Sequence, residues 1–158
     1  MGTAITQHTT VLGVSARRTA KGFVRHLPTV ARILLGALFL FSGVVGMLMT
    51  NQPTAGLPAG AIAFSAAIAK TGYMLPLICG TEALAGLLLL ANRFVPLGLA
   101  LLAPVVVNIF AFHLFLEPGG RPVAVIVCAF ELYLAWSYRA AYRPMLAART
   151  ARGGAASA

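Results

Sequence analysis

Four stretches of this chain, at about residues 28-49, 73-91, 94-116 and 122-138, are apolar for 17 to 23 residues apiece and carry almost no charge. Each is near the ~20 residues that an α-helix needs to cross the ~30 Å hydrocarbon layer of a bilayer. In lipid the backbone must satisfy its own hydrogen bonds, so runs of this length are read as helices. With 59% hydrophobic and 9% charged residues in a chain of 158, too few polar groups remain to coat a water-soluble globule. The expected fold is therefore an all-α integral membrane protein, a bundle of four transmembrane helices. There is no room left for a separate soluble catalytic module.

The segments between the runs fit that layout. Residues 1-27 are Thr-rich and basic, and are read as a cytoplasmic arm with at most a short amphipathic piece around Phe23. The polar stretch ahead of the first run is too long for a cleavable signal peptide, and no small-residue cleavage site follows Met49. Asn51-Gln-Pro-Thr-Ala-Gly-Leu-Pro58 is turn chemistry, and Ala59 to Ala69 is too short to span, so it is expected to be an interfacial or re-entrant helix in the first outer loop. Asn92-Arg93 and Glu117-Pro-Gly-Gly-Arg121 mark the later turns, and Pro104 is expected to bend the third span. Residues 139-158 form a basic tail.

The 12 Lys and Arg against 3 Asp and Glu would suggest nucleic acid in a soluble chain, but these cations cluster at the ends of the spans. With the amino terminus in the cytoplasm, Lys70 and Arg121 alone lie outside, and the other 10 of the 12 lie inside. The positive-inside rule then places both termini in the cytoplasm of a multi-pass membrane protein in contact with membrane lipid. Tyr73, Tyr133, Trp136, Tyr138 and Tyr142 fall near the ends of the spans, where aromatic rings anchor helices at the interface.

Polar residues within the spans carry the chemical information. Glu82 and Glu131 each stand nine residues into a span that enters from the outer side, ~13 Å below that surface at 1.5 Å per residue. Asn108, on the oppositely directed third span, reaches a similar level, ~12 Å down. The three are expected to form one buried polar layer. A carboxylate facing acyl chains is costly, so the glutamates should turn inward and pair with each other, with Asn108, with hydroxyls such as Ser42 and Thr81, or with a ligand, at least one of them being neutral.

Cys79-Gly-Thr-Glu82 and Cys128-Ala-Phe-Glu131 repeat one spacing, which sets each thiol one turn outward of its glutamate. The readings of Cys79 and Cys128 are small apolar filler, a redox thiol pair, and a Cys2Glu2 metal site; the spacing matches no established metal signature, and no metal is expected. His113 and Glu117 are four apart near the outer boundary, which suits an interfacial pair, a head-group contact or a hydrogen bond to a quinone carbonyl. No Ser-His-Asp order, phosphate-cradling glycine loop, HExxH or CxxC is present, so no catalytic residues are assigned.

The stretches Arg32-Ile-Leu-Leu-Gly-Ala-Leu-Phe-Leu-Phe-Ser-Gly43, Lys70-Thr-Gly-Tyr-Met-Leu-Pro-Leu-Ile-Cys-Gly-Thr-Glu82 with the leucine run to Leu90, Asn108-Ile-Phe-Ala-Phe-His-Leu-Phe-Leu-Glu-Pro118 and Glu131-Leu-Tyr-Leu-Ala-Trp-Ser-Tyr138 together resemble the DoxX group of small bacterial membrane proteins. The resemblance covers about residues 32-146. It implies a four-helix membrane bundle and, for some members, association with quinone-linked or thiol-linked oxidoreductase assemblies; it brings no catalytic motif, and the cysteine pair is not part of it. Two further expectations rest on the resemblance, the bacterial inner (cytoplasmic) membrane as location and other integral membrane subunits as partners. The expected function is a non-catalytic accessory subunit of a larger respiratory or photosynthetic electron-transfer complex that lines a quinone path. The alternatives are a membrane oxidoreductase component in which the thiols pass electrons to a quinone, and a small carrier that uses the buried glutamates.

Overall fold

A computed structural model describes residues 3-49 and 56-144, with side chains described from His26 onward. Every regular element among the described residues is helical. The first helix, α1 (Thr3–Leu48), is followed by α2 (Ala59–Lys70), α3 (Met74–Leu90) and α4 (Val95–Phe115). A single 3-10 turn at Pro118–Gly120 leads into α5 (Arg121–Ser137), and the one-turn α6 (Arg139–Tyr142) follows.

Three segments, His26–Leu48, Val95–Phe115 and Pro118–Ser137, are long and apolar enough to cross a bilayer, and α2 with α3 make a fourth when the bent pair is taken as one span. The pair turns through 93° at Thr71-Gly72-Tyr73. Gly72, at φ +76, occupies the left-handed region that a residue with a Cβ resists. The short α2 therefore stands nearly at right angles to α3. Its Phe64 ring packs 5.7 Å from Phe112, near the carboxyl end of α4.

The first helix is longer than the expected span. Its 46 residues reach ~69 Å, about twice the hydrocarbon thickness. Helix continues through Pro28, which lacks the N–H that would bond the carbonyl four residues earlier. One missing bond does not end the helix, because the sequence on both sides of it is helix-compatible.

The four long helices pack in a cycle, α1 on α3, α3 on α4, α4 on α5 and α5 on α1, whereas α3 and α5 make no extended contact. Leu35, Phe39, Leu89, Leu99, Leu102 and Leu134 fill the centre and are fully buried. Leucines and valines on the outer faces are left exposed, as lipid-facing positions are.

Between α3 and α4 the chain reverses over Ala91 to Phe94, with Asn92 and Phe94 both near φ +54. Asparagine tolerates that conformation; phenylalanine holds it at a cost of roughly 1–2 kcal/mol. The tight reversal sets α4 antiparallel beside α3.

Candidate functional site

A close helix approach lies beside a buried carboxyl. Buried positions on α3 are Cys79, Glu82, Ala85, Gly86 and Leu89, a single stripe at helical spacing. Opposite them α1 presents Gly36, Gly43 and Gly46. A Cβ on Gly43 would stand 2.5 Å from the Ala83 nitrogen and from the Cys79 carbonyl oxygen, and one on Gly46 would stand 2.6 Å from the Cys79 Sγ. Only glycine allows these backbones to come so near, a device common between membrane helices. The approach brings Ser42 within reach of α3, and its Oγ donates to Glu82 Oε2 at 2.9 Å. Of the expected hydroxyl partners, Ser42 is the one that meets Glu82; Thr81 turns back to the Leu77 carbonyl of its own helix. The bond ties the second span to the first rather than to the third and fourth.

Glu131 also points inward. It lies on the buried stripe of α5 with Ala124, Val127 and Leu134, 6% exposed, and its Oε2 has no hydrogen-bond partner among the described residues. The two glutamates thus enter from helices on opposite corners of the packing cycle. No hydrogen bond links them among the described residues.

Asn108 does not join them. It is exposed on the outer side of α4. The buried positions of that helix are Val95, Gly98, Leu99, Leu102 and Val106, and a residue two beyond Val106 lies ~200° around the helix axis. Asn108 therefore falls on the wrong face for the expected layer, and of its three members only Glu82 and Glu131 are buried.

Both thiols are free. Cys79 is buried against Gly46 of α1, and Cys128 is half-buried against the apolar core. Since α3 and α5 make no extended contact, the structure does not draw the thiols together along a shared interface. No cluster of three or more metal-ligating side chains occurs among the described residues.

One polar residue at depth has no distinguishing mark in the sequence except its place. Arg32, inside the first apolar run, is 7% exposed, and its guanidinium donates to the Leu89 carbonyl and, at 3.4 Å, to that of Leu90. These carbonyls belong to the last turn of α3, where that of Leu89 also accepts from the Asn92 N–H at 3.2 Å. A buried cation there adds a charged donor to the helix end and complements the negative end of the helix dipole. The clue is a lone arginine in an otherwise uncharged span, which topology counting treats only as a positive-inside charge.

At the far end of α4 the expected pair of His113 and Glu117 forms. The His113 Nδ1 lies 2.8 Å from Glu117 Oε2, and the same carboxylate accepts from the backbone N–H groups of Gly119 at 3.0 Å and Gly120 at 2.8 Å. Chiefly the Gly120 N–H, with His113 and Gly119 adding to it, holds the Glu117 carboxyl below its ordinary range. A Cβ on Gly120 would collide with the imidazole, so the Pro-Gly-Gly turn leaves space for the pair. Arg121 completes the closure by donating to the His113 carbonyl at 3.3 Å and the Leu114 carbonyl at 2.9 Å. At the other end, the Tyr142 hydroxyl donates to the Pro96 carbonyl at 2.9 Å, with its ionisation pushed up by burial and by the nearby Glu131 carboxyl.

Taken together, the polar side chains described here mostly join helix to helix or close a helix end, and Glu131 alone keeps a buried oxygen unengaged. In comparison with known proteins, no family model matches the chain, and neither a curated protein nor a solved structure matches it.

Proposed function

We propose that the chain is a non-catalytic accessory subunit of a larger electron-transfer complex in a bacterial inner membrane. In this reading α1, α3, α4 and α5 are four transmembrane helices with both termini in the cytoplasm, and α2 lies along the outer interface. The 10 to 2 partition of Lys and Arg supports the orientation. The resemblance to the DoxX group supports the setting among quinone-linked or thiol-linked assemblies.

The observation that carries the proposal is the use made of polar groups at depth. Ser42 and Glu82 join α1 to α3, and Arg32 closes the carboxyl end of α3. A side chain committed to its own fold is not free for turnover, whereas a rigid bundle with an apolar exterior suits a subunit that positions its neighbours. The decisive experiment is gentle solubilisation of the tagged full chain from native membranes, followed by identification of co-purifying proteins and lipid-soluble cofactors. Stoichiometric recovery of electron-transfer subunits is expected. Isolation of the chain alone, with quinone-dependent oxidation or reduction catalysed by it, would overturn the proposal.

A second reading is favoured by Glu131, whose unengaged oxygen suits a hydrogen bond to a quinone carbonyl or the passage of a proton. The chain would then be an oxidoreductase component in which Cys79 and Cys128 take part. Loss of electron transfer on Cys79→Ser or Cys128→Ser would select this reading, and full retention would remove the thiols from it.

A further inference from the structure

Asn108 is exposed on α4, and none of the hydrogen bonds among the described residues involves its amide; the side-chain polar contacts described for that helix lie at its two ends, at Pro96 and around His113 and Leu114. It stands thirteen residues from Val95 and seven from Phe115, inside a segment long and apolar enough to cross a bilayer. Those separations are ~20 Å and ~10 Å along the axis. Asparagine has none of the long stem that lets lysine or arginine reach the interface. An amide held at this depth against acyl chains leaves its donors and its acceptor unmet.

The same side of α4 has a second unmet group. Pro104 lies inside the helix and offers no N–H to the carbonyl of Ala100, which is likewise exposed. Pro104 and Ala111 flank Asn108 at helical spacing, with the exposed Val107 and Phe115 supplying apolar contact around them. The inward side of α4 is fully used, with Gly98, Leu99, Leu102 and Val106 buried in the core. What remains is an outward apolar strip around one amide, and between Val95 and Phe115 there is no Lys, Arg, Asp or Glu to repel an identical strip.

We infer that this strip is the contact surface for a second copy of the chain, with α4 beside α4 and Asn108 bonded to Asn108. A carboxamide carries donor and acceptor together, so it is complementary to itself. Two copies related by a two-fold axis along the membrane normal set the two amides at the same depth, and each then donates to and accepts from the other. A second copy meets that requirement with no further residue type, whereas lipid tails cannot meet it. Parallel helices paired through a single buried asparagine are an established way of fixing partner and register. The inference does not depend on the electron-transfer reading.

The test is self-association of the full-length chain, fused to donor and acceptor fluorescent proteins, in vesicles of phosphatidylethanolamine and phosphatidylglycerol over a range of protein-to-lipid ratios. The wild type is expected to show energy transfer that dilutes out with lipid. Asn108→Leu should weaken association about tenfold, the equivalent of ~1.4 kcal/mol, within the range for interhelical polar bonds in membranes. Asn108→Gln, which keeps a carboxamide, should recover most of it. Asn108→Leu should also leave helix content and thermal stability in detergent unchanged, because Asn108 makes no bond within the described fold. Three results would overturn the inference: a wild type monomeric at every ratio, a Leu variant that associates as tightly as the wild type, or a Leu variant whose own fold is destabilised. Capture of a different membrane protein through Asn108, without self-association, would count equally against it.

Discussion

A methyl group added at Gly43 would separate two helices and break a hydrogen bond. The new Cβ of Gly43→Ala would stand 2.5 Å from backbone atoms of Ala83 and Cys79, where ordinary contact begins at 3.4 Å. Both obstacles are backbone, so no side chain can swing aside, and α1 must withdraw by about 0.9 Å, the difference between those two distances. The adjacent Ser42 moves with it. Its 2.9 Å bond to Glu82 then stretches to nearly 4 Å, beyond hydrogen-bond range. Overpacking costs ~1–3 kcal/mol and the lost bond ~0.5–1.5 kcal/mol, against a gain of ~0.5–1 kcal/mol from replacing glycine with alanine inside a helix. The net is a destabilisation of about 2 kcal/mol. Gly80→Ala supplies the control, since a Cβ there meets nothing within 4 Å. It keeps the propensity gain without the collision and should be neutral or stabilising by up to ~1 kcal/mol. Thermal unfolding in mild detergent, followed by helical circular dichroism, separates the two. Equal midpoints for Gly43→Ala and Gly80→Ala would refute the reasoning, because propensity alone cannot tell the positions apart.

Other substitutions probe the remaining contacts. Arg32→Met should lower stability by ~2–3 kcal/mol by leaving the end of α3 without its charged donor, and Arg32→Lys should recover part of it, lacking the forked geometry; detergent unfolding that leaves Arg32→Met at the wild-type midpoint would exclude the cap. Glu82→Gln should be mild because an amide oxygen still accepts from Ser42, whereas Glu82→Leu should cost ~1–2 kcal/mol, and a Leu variant as stable as the wild type would show that the bond holds nothing. The turn at Glu117 has a defined sign with pH. Its carboxyl is held below the ordinary value when folded, so the stabilisation is complete above the unfolded carboxylate range and is lost as pH falls through the lower folded value. Hydrogen exchange at the Gly119 and Gly120 amides should accelerate only on that acid side, and Glu117→Gln should remove the acid dependence.

Much of the architecture is legible in the sequence because length and apolarity are properties of a segment alone. The apolar sections, the short helix after Pro58, the reversal at Asn92 and the His113 and Glu117 pair all follow from local chemistry. Rotation about a helix axis does not. The third span is apolar on every side, so no polar face announces which way Asn108 turns, and depth counted in residues carries no angular information. Glu82 and Glu131 face inward as their cost in lipid demands, but that Glu82 meets Ser42 depends on where glycines on α1 let α3 approach. Arg32 is visible as an anomaly, and its role needs the far end of another helix to be in place. The passage of α1 through Pro28 shows the opposite limit: a residue that ends many helices interrupts one bond and leaves this one continuous.

The contact between Arg32 and Leu89 bears on how the protein is made. The two residues are 57 positions apart, so during synthesis the guanidinium enters the translocation machinery well before the carbonyl that will receive it exists. Until then it is a lone cation among apolar residues, and the later helix, arriving by itself, lacks the charge that complements the negative end of its dipole. Neither segment is comfortable alone, and the partnership favours delivery of α1 and α3 as a paired hairpin, with the first held back until the second follows.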